Sequence, residues 1–150
     1  MKYAKFKMPI FNFEIVFIQV ERGDDKNKDN LKEIELAMWM GTSNPSQINK
    51  TMTDIKNNAV NGGIVLRGLY RNIVVVFYRM TSKTEKLMIY AHEQRHIEDD
   101  ILEHCGINDK ETAAYLAGYL AEKLHVFDKW DEDELKREFN YFNKTKKKAT

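Results

Sequence analysis

The chain has one cysteine, four histidines and almost no net charge. Cys105 stands alone, which excludes an intrachain disulfide and fits a reducing compartment. It has no basic or imidazole partner at catalytic spacing, so it reads as a packed thiol rather than a nucleophile. The 24 basic and 23 acidic residues leave a net charge of +1. No global field therefore draws the protein to nucleic acid or to a membrane surface. No stretch approaches the ~20 apolar residues of a transmembrane helix. Lys2, Lys5 and Lys7 precede an apolar run, as in a secretory leader, but Pro9, Asn12, Glu14 and Gln19 interrupt it and no small-x-small cleavage site follows. The run reads as a strand, and a cytoplasmic location is the expectation.

What is present is the composition of a folded domain, 43% hydrophobic and 11% aromatic over 150 residues. No repeat or boundary divides it. We expect a single domain over residues 1–143 and a basic, flexible, solvated tail over 144–150 that includes Lys144, Lys146, Lys147 and Lys148.

Residues Phe11 to Val20, rich in β-branched and aromatic side chains, predict a first strand. A helical pattern covers Leu31 to Met40. After the break at Gly41 to Pro45, Ile48, Met52, Ile55 and Ala59 recur at helical spacing until Asn61-Gly62-Gly63. Ile64 to Leu69 and Ile73 to Tyr78 predict an antiparallel hairpin, its second strand apolar enough to be buried on both faces. Ser82-x-x-Glu85 opens a helix that Gly106 closes, with Leu87, Tyr90, Ala91, Ile97 and Ile101 as its core stripe. Asn108-x-x-Glu111 opens the next helix, to about His125, and a more polar helix follows Trp130 with Leu135, Phe139 and Phe142 on its apolar side.

The closed helix contains His92-Glu93-Gln94-Arg95-His96, an H-E-x-x-H pentad. Residues four apart share a helix face, so both imidazoles can reach one metal ion, with Glu93 beside it as a base for a bound water. The competing reading of Glu93 is a glutamate on the helix surface. Catalytic zinc takes three protein ligands and keeps a position open for water. Glu111, in the first turn of the following helix, is the expected third ligand, although its spacing from Asn108 is also that of a capping box. His104 lies about 80° around the helix from His96, and His125 ends the Glu111 helix, so both are weaker candidates. Asp99 and Asp100 are candidates to hydrogen-bond an imidazole from behind, and solvated charge is the competing role. Tyr115, with Tyr119 a turn later, is a candidate hydrogen-bond donor to an oxyanion; the alternative is a packing tyrosine.

With these residues in view, the order of elements resembles zincin-like metallopeptidases. More narrowly it resembles small phage and mobile-element zincin-like proteins, whose downstream helix reads Glu-x-x-Ala-Tyr-Leu-x-Gly-Tyr. Here the segment is Glu111-Thr-Ala-Ala114-Tyr115-Leu116-Ala-Gly118-Tyr119, and the detailed likeness covers about residues 85 to 120. The resemblance implies a small α+β zincin-like domain with a mixed sheet of three strands or slightly more, packed on helices. It further implies Zn2+ held by His92, His96 and Glu111, Glu93 as general base, and Ile73 to Tyr78 lining the substrate cleft. Arg95 and Glu98 depart from the family, which usually keeps uncharged and apolar residues at those places.

The function expected is a zinc-dependent hydrolase, a metallopeptidase acting on a peptide or protein in extended form. The alternative is a catalytically inactive zincin-like structural or interaction protein, for example a phage virion component assembled into a larger viral complex. Nucleic-acid binding through the lysine tail ranks last, for want of interleaved aromatics and a basic face.

Overall fold

The computed structural model describes residues 1–129 apart from Pro9, Ser43, Asn61, Leu69, Arg79 and Thr81. The expected helix after Trp130 and the basic tail lie outside the described residues. In chain order the elements are β1 (Lys2–Met8), β2 (Phe13–Val20), α1 (Lys28–Gly41), α2 (Pro45–Lys56), β3 (Gly62–Arg67), β4 (Asn72–Tyr78), α3 (Lys83–Cys105) and α4 (Lys110–Lys129). A short 3-10 turn at Asp24–Lys26 precedes α1. The fold is α+β, with a mixed sheet of four strands in the order β1-β2-β4-β3. The central pair β2 and β4 is parallel, and both outer pairings are antiparallel.

Strand alternation divides the interior into two cores. Ile15, Phe17, Ile73, Val75 and Phe77 face α3 and α4, and pack with Tyr90, Ile97, Ile101, Leu116 and Leu120. Val16, Ile18, Val74 and Val76 face α1 and α2, and meet Ile34, Met38, Ile48 and Ile55. Helices therefore cover both faces of the sheet, which is why β2 and β4 read as continuous apolar runs. The last turn of α1 lies close on the sheet because Gly41 has no side chain. A Cβ there would stand 2.5 Å from Cγ2 of Val74.

β1 is a strand of its own, with Ala4, Phe6 and Met8 buried between lysines, and a turn at residues 10–12 returns the chain into β2. β3 begins at Gly62, two residues earlier than the apolar run suggests. The expected core stripe of α3 is corrected at two places. Leu87 is 62% exposed and Ala91 is exposed, whereas Glu93 and Glu98 are buried with Tyr90, Ile97 and Ile101. The helix turns these two carboxylates inward because it leans on β3 on one side and α4 on the other. No helix among the described residues is long and apolar enough to cross a membrane.

Candidate metal centre on the third helix

α3 starts where the Ser82 side chain accepts the backbone N–H of Glu85 at 3.1 Å, and stops at Gly106, whose φ of 66° is left-handed. These stops frame 23 residues and place the pentad mid-helix, where the backbone is fully paired. His92 and His96 look out beside β3, and their Nε2 atoms converge to 3.2 Å. Two imidazoles on one tetrahedral zinc, with Zn–N bonds near 2.05 Å, have nitrogens about 3.3 Å apart. The rings meet at 81°, with centroids 4.8 Å apart.

Glu93 turns the other way, under β3, and is 4% exposed. Its Oε2 lies 3.9 Å from Nε2 of His92. Burial pushes its carboxyl above the ordinary range, and the two histidines oppose that shift. The space for this side chain comes from Gly63. A Cβ on Gly63 would stand 2.7 Å from Cγ and 3.1 Å from Oε2 of Glu93. Gly62-Gly63 is the feature that sequence reasoning assigned only to a helix end, and a glycine pair opening a strand beside a carboxylate was the available signal.

The cleft strand expected at Ile73 to Tyr78 is corrected. β4 is hydrogen-bonded on both sides, to β2 and to β3, so it has no edge to offer. The strand beside the pentad is β3, the sheet edge. Gly63, Val65 and Arg67 line an open groove of about 430 Å³ together with His92, Glu93, His96 and Asp100, and Gln47 of α2 stands at its other wall.

Glu111 is not brought to the histidines. It is exposed in the first turn of α4, and among the described residues no set of three or more His, Cys, Asp or Glu side chains is arranged to hold a metal ion. The reason is the side of α3 on which α4 packs. Gln94, about 200° around α3 from His92, donates to the Ala117 carbonyl at 3.0 Å. α4 then lies towards β1, with the Tyr119 ring 6.4 Å from Phe6 and Lys2 Nζ 3.0 Å from the Phe127 carbonyl. The histidines face β3, at the opposite edge. Glu111 does not close a capping box with Asn108 either, because Asp109 is the residue whose side chain accepts the Thr112 N–H, at 2.9 Å.

Tyr115 follows α4 to the same far edge, where it is 58% exposed beside Met8, Ile10 and Phe11. Tyr119 packs against Phe6, so neither tyrosine faces the groove. Asp99 pairs with Arg95 at 3.4 Å on the exposed side of α3, away from the groove. Asp100 is in the groove, where its carboxylate is held by Arg67. The buried Glu98 accepts from Gln94 at 2.9 Å against α4. Both departures from the family pattern, Arg95 and Glu98, therefore lie off the groove. His104 stacks edge-on against Phe13 at 5.4 Å, His125 is exposed on α4, and Cys105 packs against the core.

The two histidines fit zinc as nitrogen donors, by their convergence and by the carboxylate fixed beside them. Comparison of the chain with protein families, with curated proteins and with solved structures found no match.

Proposed function

We propose that the protein is a zinc-dependent hydrolase of zincin type, acting on peptide bonds, with His92 and His96 as metal ligands and Glu93 as general base. The observation that carries this reading is the 3.2 Å convergence of the two Nε2 atoms beside a carboxylate buried 3.9 Å away. Zinc at such a site supplies Lewis acidity that makes a water nucleophilic near neutral pH. Glu93 accepts the proton of that water and hands it to the leaving amine. Its raised proton affinity, caused by burial, brings it closer to the operating pH than an exposed glutamate. The free edge of β3 pairs with the backbone of an extended peptide and lays it across the groove.

The test is metal content and turnover on the same preparations. Wild type and Glu93→Gln should hold one zinc, His92→Ala should lose it, and only wild type should cleave a broad peptide panel. Cleavage by Glu93→Gln would remove Glu93 from the mechanism. One observation favours the second reading, an inactive zincin-like structural or interaction protein such as a virion component. The described residues offer the histidine pair no third ligand. Zinc absent from wild type would decide for that reading.

A further inference from the structure

The histidine groove does not end at Arg67. Arg67 and Asp100 line it and also line a second concavity of about 230 Å³, which includes Arg71, Asn72 and His104. Those three residues in turn line a third hollow, of about 530 Å³, that reaches Lys7. The three hollows adjoin through these shared residues and follow one another as a trough, with the Arg67–Asp100 ion pair between the first two. The trough leaves the pentad along β3 and then crosses the strand ends, where the register places Lys7 opposite Glu14, and Glu14 opposite Asn72. Crossing from β3 to β1 covers three strand spacings, about 14 Å, the length of roughly four extended residues.

The charges along this trough are unevenly neutralised. Arg67 is held by Asp100 and has Glu103 at 3.8 Å, so the near section carries no free cation. In the far section Glu14 is paired with Lys5 at 3.1 Å. Lys7 and Arg71 line the same hollow with no carboxylate partner among the described residues. Arg71 is also fixed in place, because one guanidinium nitrogen donates to the Phe11 carbonyl at 2.7 Å and the guanidinium lies over the Phe13 ring, 6.0 Å from its centroid. The far end is thus a cationic section, with Arg71 held in place and Lys7 exposed, on an otherwise near-neutral protein.

We infer that the trough is a one-sided extended binding site that takes an acidic segment of a polypeptide, several residues away from the bond at the pentad. This rests on the peptide-hydrolase reading for what happens at His92, Glu93 and His96, and adds the substrate class: a protein segment with acidic residues on one flank, rather than a dipeptide or a short neutral peptide.

The experiment measures binding of fluorescein-labelled twelve-residue Gly/Ser peptides, carrying four Glu or four Lys at one end, to zinc-supplemented Glu93→Gln protein at low salt. The Glu peptide should bind at least about fivefold tighter than the Lys peptide. The exposed Lys7→Glu and Arg71→Glu variants should each erase or invert that preference, and Lys7→Gln, which breaks no hydrogen bond or ion pair among the described residues and sets no like charge opposite Glu14, should weaken it. Equal binding of the two peptides, or a preference untouched by these variants, overturns the inference. A Glu93→Gln protein that binds no zinc yet keeps the charge preference sinks the hydrolase reading and leaves the trough standing.

Discussion

Gly63→Ala is the sharpest perturbation the site allows. The φ of Gly63 is not left-handed, so the backbone accepts alanine, and such a change in a strand would ordinarily gain about 0.5–1 kcal/mol. Here the new methyl carbon would lie 2.7 Å from Cγ and 3.0 Å from Cδ of Glu93, against an ordinary contact of about 3.5–4.0 Å. Overpacking of this kind costs about 1–3 kcal/mol. The net expectation is a loss of about 0–2.5 kcal/mol, a fall of at most roughly 10 °C in Tm for a domain of this size. In a Glu93→Ala background the clash is gone, and the same change should be neutral or stabilising. Urea denaturation of the four proteins closes the cycle, with an expected coupling of about 1–3 kcal/mol. Relief by rotation of Glu93 into solvent would reduce the stability loss, but it would carry the base out of place. Turnover should then fall about a hundredfold with zinc retained. Equal cost of Gly63→Ala in both backgrounds, with unchanged turnover, would refute the contact as the reason for glycine.

The remaining expectations are simpler. The folded state raises the Glu93 carboxyl above its ordinary value of 4.5, so its contribution is full below that range and is lost as pH rises through the folded value. Metal-free Glu93→Gln should accordingly be more stable than metal-free wild type at pH 7–8, with the difference closing towards pH 4 in thermal melts. Glu111→Ala should leave zinc content and stability unchanged within about 0.5 kcal/mol, because Glu111 is an exposed residue of the far helix. A large loss of zinc in that variant would reverse the ligand assignment. Asp109→Ala should lower the denaturant midpoint through the lost cap on Thr112, and Asn108→Ala should leave it almost unchanged. Ile101→Ala, at a fully buried position between α3, α4 and the sheet, should cost about 2–5 kcal/mol.

Much of this architecture was legible in the chain because its signals are local. The Ser82 cap and the Gly106 stop act within one turn of the helix ends, and the i, i+4 histidines converge by helix geometry alone. The run Ile73 to Phe77 announced a strand buried on both faces for the same reason, since every one of its residues is apolar. β1 was less visible, because Lys2, Lys5 and Lys7 resemble the charged start of a leader more than the outward face of a strand. Its alternation of Ala4, Phe6 and Met8 with polar residues was nonetheless there to read.

By itself the sequence determined the helix that carries His92, Glu93 and His96, its ends, and the pairing of the two strands before it, for these depend on residues close together in the chain. Tertiary structure alone decided which neighbours those residues meet. Periodicity states that Glu93 and Glu98 differ in direction, yet only docking shows one against β3 and the other against α4. Strand order, not strand composition, made β3 the edge and β4 the centre. The turn after Gly106 sends α4 towards β1, and that one direction keeps Glu111 and Tyr115 away from the histidines while leaving the β3 groove open.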